Sequence, residues 1–117
     1  MNRAAELIEE VKAHVTVLNN LMEDSPVLNL KVGELGEDFI QTKAKNTEEF
    51  LCELLQVKNC YIRFSALCAL LRAQNSGLKF QDKTLKQLDE FKRSKDRYKA
   101  CIYQGAEKRI STEQSSA

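Results

Sequence analysis

Four cysteines and a single histidine are the side chains of this 117-residue chain from which a metal site or a nucleophilic centre would first be built. Cys52, Cys60, Cys68 and Cys101 include no CxxC pair, whereas a zinc site needs about four converging ligands at recognisable spacing. A serine or cysteine nucleophile normally needs a base, and His14 is the only histidine. It stands beside Val15 in an amphipathic pattern and reads as a partly exposed helix-face residue. The acidic pairs Glu9-Glu10, Glu48-Glu49 and Asp89-Glu90 are adjacent in sequence, so on helices they point to different sides and cannot share a catalytic proton. Solvated faces account for them. Gly33 and Gly36 lack the Lys-Ser/Thr of a phosphate loop. The chain is therefore expected to be no enzyme, with no catalytic residues, no metal and no cofactor.

The remaining chemistry is charge. Lys92-Arg93-Ser94-Lys95-Asp96-Arg97-Tyr98-Lys99 is the densest basic run. On one helix, Lys92, Lys95 and Lys99 would share a face, with Arg93 and Arg97 on the neighbouring one. Such a face could contact phosphate backbones through charge, in a salt-sensitive way largely indifferent to base sequence. Asp89, Glu90 and Asp96 could instead pair with the same side chains. The net charge of +1 conceals a segregation. Residues 1–53 hold 5 Lys/Arg against 11 Asp/Glu, and residues 79–110 hold 10 against 5. That pattern fits either a basic binding face or acidic and basic helices lying against each other.

The elements that would position these residues are helical. One Pro, four Gly and 43% hydrophobic residues describe an ordinary soluble domain. Met1, Ala4, Ile8, Val11, Val15, Leu18 and Met22 form a heptad stripe, which predicts a first helix over 1–23 with a narrow seam. Ser25-Pro26 stops that helix and starts the next, because Ser caps and Pro suits the first helical position. Leu28, Val32, Leu35 and Phe39 continue the spacing, but Gly33 and Gly36 each cost about 0.8–1 kcal/mol relative to Ala, making this the weakest and most easily broken element.

Asn46 and Glu49 resemble a capping box before a third helix, in which Phe50, Leu54, Val57, Tyr61, Phe64, Cys68 and Leu71 form one long stripe. Three cysteines fall within that single pattern. Residues eight apart on a helix stand roughly 12 Å from each other, too far for a disulfide, so the cysteines read as reduced core residues in a reducing compartment. Asn75-Ser76-Gly77 ends the helix. A fourth, more polar helix follows, with Leu85, Leu88, Phe91, Tyr98 and Ile102 on its apolar side.

The stretch from Phe50 to Ile102 resembles the something-about-silencing family of nuclear RNA-processing adaptors, which includes exosome-associated and small-subunit-processome proteins. The resemblance lies in Leu55-Gln56-Val57-Lys58-Asn59 leading into Tyr61, in Ser76-Gly77-Leu78 closing an apolar helix, and in Thr84-Leu85-Lys86-Gln87-Leu88-Asp89-Glu90-Phe91-Lys92 opening a basic one. It covers a little under half the chain and departs at Gln81-Asp82-Lys83-Thr84, where members often carry His-Pro. The resemblance implies an adaptor that binds a protein partner through its helices and touches RNA or DNA through basic residues.

The expected protein is thus an all-α antiparallel bundle of about four helices over residues 1–110, with a disordered tail at 111–117. It works in the nucleus or cytoplasm, without a membrane, as a dimer or heteromer. Ile8, Val11, Val15 and Leu18 are its partner-binding seam, and Lys92, Arg93, Lys95, Arg97 and Lys99 its nucleic-acid contacts. The alternative is a structural coiled-coil subunit of a cytoskeletal, kinetochore or trafficking assembly.

Overall fold

Six helices and no strand occupy the residues that the computed structural model describes, 3–21 and 23–115. They are α1 (Arg3–Leu18), α2 (Pro26–Thr42), α3 (Lys45–Leu54), α4 (Cys60–Asn75), α5 (Asp82–Lys92) and α6 (Arg97–Ser115). The all-helical class follows the sequence, while the count of four becomes six because the third and fourth expected helices are each broken.

In α1 the buried residues are Ala4, Leu7, Ile8 and Val11, the i, i+3, i+4, i+7 pattern of a helix with one covered face. The helix ends at Leu18 instead of continuing to Glu23, and Met1 and Met22 of the expected stripe lie outside the described residues. The start of α2 is as expected: Ser25 Oγ accepts the Leu28 N–H at 3.2 Å, with Pro26 as the first helical residue. The element most easily broken stays whole, and α2 runs through both glycines. Gly36 faces α4 so closely that a Cβ there would stand 3.0 Å from the Ala69 Cβ. Packing of the two backbones thus offsets the helix propensity that glycine forfeits.

The long stripe from Phe50 to Leu71 is interrupted at residues 55–59. Asn59, fully buried, caps α4 by accepting the Tyr61 and Ile62 N–H groups at 2.9 and 3.3 Å. Its amide donates to the Leu18 and Glu23 carbonyls, and Asn19 Oδ1 accepts the Lys58 N–H in return at 2.8 Å. These bonds tie the end of α1 to the head of α4 and satisfy buried backbone groups at both. The capping box at Asn46 is not used: α3 starts two residues earlier, at Lys45, after Ala44, which makes no side-chain cap.

Helix α4 is buried on several sides, through Ile62, Ala66, Leu67, Ala69, Leu70 and Ala73, because α2, α3 and α6 all pack on it. It closes at Gly77 (φ 94°), where the Leu78 N–H reaches the Ala73 carbonyl and the Gly77 N–H the Gln74 carbonyl, a left-handed cap that glycine adopts without steric cost. The next helix is capped from outside. Glu48 of α3, buried and not on a solvated face as expected, accepts the Gln81 N–H at 3.0 Å and the Thr84 hydroxyl, satisfying the open end of α5.

The antiparallel arrangement holds for α1 and α2, where Arg3 pairs with Glu34 and Glu10 with Lys31. It does not hold around α4. Cys60 meets Tyr98, Phe64 meets Gly105, and Arg72 meets Glu113, so α4 and α6 run in the same direction. Asn29 with Ser65 and Gly36 with Ala69 give the same sense to α2 and α4. The extra helices α3 and α5 are the crossovers that such pairings require. The radius of gyration, 13.4 Å, is that of a compact chain of this length.

The expected tail is also helical as far as Ser115: Ile110 is buried, and Arg72 holds Glu113 through two bonds of 3.0 and 2.9 Å. Ser116 and Ala117 lie outside the described residues. No helix among the described residues is long and apolar enough to cross a membrane.

Candidate functional site

The basic run occupies a corner between two helices. Lys92 is the last residue of α5, residues 93–96 connect, and Arg97 opens α6. Hydroxyl and carboxylate caps build the turn without Pro or Gly: Ser94 Oγ accepts the Asp96 N–H at 3.1 Å, and Asp96 Oδ1 accepts the Tyr98 N–H at 2.9 Å. The shared helical face expected for Lys92, Lys95 and Lys99 therefore does not form, and the five cations fan around the corner.

Two of the five have internal partners. Arg93 Nε lies 2.9 Å from Asp89 Oδ1, and Lys99 Nζ stands 5.5 Å above the Phe91 ring. Lys92, Lys95 and Arg97 are exposed, and none of them joins an ion pair among the described residues. Nor does any ion pair among those residues link the acidic 1–53 segment with the basic 79–110 segment. The acidic pairs of the first half are local or with α2: Arg3 with Glu6 and Glu34, Lys12 with Glu9, and Lys31 with Glu10. Mutual neutralisation thus does not account for the segregation of charge.

The expected partner seam is elsewhere than on the surface. Ile8 and Val11 are buried in the chain's own core, and Val15 and Leu18 are half-buried against it. Their stripe covers α2 and α3. His14 is half-buried on the flank of the same helix, its Nδ1 2.8 Å from the Glu10 carbonyl oxygen one turn back. Of the four cysteines, all free thiols, Cys52 and Cys68 are core residues as expected. Burial pushes the Cys68 thiol up to about 11. Cys60 is half-buried and Cys101 exposed, because both lie where α4 and α6 meet, away from the core.

Those two thiols belong to a feature with no linear signature in the sequence. A groove of about 440 Å³ runs between α4 and α6, walled by Cys60, Tyr61 and Phe64 on one side and Tyr98, Cys101 and Ile102 on the other. At one end Asp24, Asn29 and Ser65 occupy each other: Asn29 Nδ2 donates to Asp24, and Ser65 donates to Asn29 Oδ1. At the other end stands Arg109, its guanidinium 5.9 Å from the Phe64 ring centroid. The Tyr98 hydroxyl donates to Cys60 Sγ at 3.6 Å, which raises the phenol above its ordinary pKa while the nearby Arg63 charge opposes the rise. Tyr61 and Tyr98 are nonetheless 44% and 55% exposed, large apolar rings left at the surface beside the basic corner.

Among the described residues no group of three or more His, Cys, Asp or Glu side chains could hold a metal ion. The surface offers an apolar groove and, next to it, cations that join no ion pair among the described residues. No protein family, curated protein or solved structure matches this chain.

Proposed function

We propose that the chain is a non-catalytic helical adaptor in a nuclear RNA-processing or ribosome-assembly complex, one that binds a protein partner and touches RNA through the α5–α6 corner. The observation that carries the nucleic-acid half is the position of Lys92, Lys95 and Arg97, three exposed cations on one turn with no carboxylate partner among the described residues. Arg93 and Lys99 extend the same patch. Exposed cations that join no ion pair among the described residues suit phosphate contact, which draws on charge more than on shape. The coiled-coil subunit finds less support, since the α1 stripe that would have zipped to a neighbour is covered by α2 and α3.

The test is a fluorescence-anisotropy titration of the full chain with a labelled single-stranded RNA at about 50 and 200 mM salt. With about four phosphates contacted, affinity for a single strand should fall about fiftyfold between the two. Changing Lys92, Arg93, Lys95, Arg97 and Lys99 to Glu should abolish binding and leave the helical circular dichroism unchanged. Absence of wild-type binding at the lower salt removes the RNA contact from the proposal. Binding that survives all five reversals moves it to another surface.

A further inference from the structure

Phosphate contact alone needs no aromatic ring, yet the basic corner carries one. We infer that the corner takes single-stranded nucleic acid, one of whose unpaired bases stacks on the Tyr98 ring while the surrounding cations hold the neighbouring phosphates. This rests on the RNA half of the adaptor reading and deepens it, from a surface that meets charge alone to one that also meets an unpaired base.

The ring is open and it is fixed. Tyr98 is 55% exposed, and among the described residues neither another aromatic ring nor a cation covers its face. An exposed side chain ordinarily loses rotamer freedom when a ligand orders it, and that loss weakens binding. Tyr98 is held beforehand: its backbone N–H donates to Asp96 Oδ1 at 2.9 Å, and its hydroxyl to Cys60 Sγ on α4 at 3.6 Å. A ring tethered at both ends is preorganised for stacking.

Cations reach it from two helices. Residues 92–99 hold five Lys/Arg and one Asp, and that Asp is the cap just described. Lys95 and Arg97 flank the cap, exposed and in no ion pair among the described residues. From α4 comes Arg63, whose charge bears on the Tyr98 phenol and which likewise joins no ion pair among those residues. A single strand offers a phosphate and a base at every nucleotide, and every base has a π face whatever its identity. An aromatic ring set among cations matches that alternation.

A duplex uses less of this surface. Its base faces are already covered by their neighbours, so contact falls to phosphates and groove shape and the ring adds nothing.

The experiment is an anisotropy titration of the full chain with labelled probes of about 12 nucleotides: an unstructured RNA strand, the duplex it forms with its complement, and a strand of equal length whose bases are replaced by abasic sites. The wild type should bind the intact strand about tenfold more tightly than the abasic one, which keeps the phosphates and lacks the stack. Tyr98→Ala should lose about that factor for the intact strand and nothing for the abasic strand or the duplex. Tyr98→Phe, which keeps the ring and gives up only the hydroxyl bond to Cys60, should bind like the wild type. The Tyr98→Ala loss should be equal at about 50 and 200 mM salt, because stacking releases no counterions, whereas Arg97→Glu should weaken all three probes and flatten the salt dependence.

The comparison of intact and abasic strands needs no variant, so a folding defect in Tyr98→Ala would not blur it. Equal wild-type affinity for those two strands, or a Tyr98→Ala loss shared by all three probes, would overturn the inference and leave the phosphate contact standing. A Tyr98→Phe loss as large as that of Tyr98→Ala would overturn it in favour of the hydroxyl. No binding of any probe would remove the RNA contact and the stacked base together.

Discussion

The α1–α2 pair and the α5–α6 corner are both amphipathic, both highly charged, and opposite in what they leave unsatisfied. In the first, the apolar stripes of Leu7, Ile8 and Val11 and of Leu28, Val32 and Leu35 are buried, and the charges along the rim pair across the helices, Arg3 with Glu34 and Lys31 with Glu10. In the second, Lys92, Lys95 and Arg97 join no ion pair among the described residues and Tyr98 is 55% exposed. A regular stripe thus marks the part of this chain that holds itself together. At the corner, the cations and the Tyr98 ring are groups the fold does not use.

That contrast predicts a large difference in stability effects. Val11 is fully buried, so Val11→Asp would place an unpaired carboxylate in the core and should cost about 4 kcal/mol or more. Urea unfolding followed by circular dichroism measures it. Arg97→Glu at the corner should change stability by less than about 0.5 kcal/mol. Comparable costs at the two sites would dissolve the distinction.

An intermediate effect should divide α2 within itself. Gly36 touches Ala69, so Gly36→Val should overpack the α2–α4 contact and cost about 1–3 kcal/mol. Gly33 has nothing within 4 Å of a built Cβ, and Gly33→Ala should stabilise by about 0.8–1 kcal/mol. Equal signs at the two glycines would mean that backbone contact does not hold α2 to α4.

The smallest effect concerns a charge that does have a partner. Arg72 hydrogen-bonds Glu113 and holds its carboxyl below the ordinary value of 4.5. A carboxylate with a lowered folded pKa contributes stability above its unfolded pKa, about 4.3, and loses it as pH falls through the folded value. Glu113→Gln should therefore cost at most about 1 kcal/mol at neutral pH, since the pair is partly exposed. The difference from wild type should vanish in acid, as midpoint temperatures at several pH values would show.

Much of the fold was legible because local chemistry announced it. Ser25-Pro26 caps α2 and Asn75-Ser76-Gly77 closes α4, each by bonds that the residue types imply. The breaks at 55–59 and 93–96 were not legible from periodicity, since the apolar spacing from Leu54 through Val57 to Tyr61 continues across a turn as readily as along a helix. Asn59 and Asp96 were the available signals, both good N-caps in runs lacking Pro and Gly. The outward exposure of Lys92, Lys95 and Arg97 could be anticipated from composition. The groove could not, because Tyr61 and Tyr98 are 37 positions apart and meet only through the parallel docking of α4 and α6.

That parallel docking also bears on how the chain is made. Helix α4 is covered by α2, which precedes it, and by α6, which follows a crossover that begins at Gly77. During synthesis from the N-terminus, the most apolar helix thus emerges with one flank protected and the other bare until residues 97–115 have been added. A nascent chain paused between α4 and α6 presents that bare flank, including Phe64 and Cys68, to whatever surrounds the ribosome. The last helix acts as the latch of the fold, and delays in translating it fall where aggregation or chaperone capture would be most consequential.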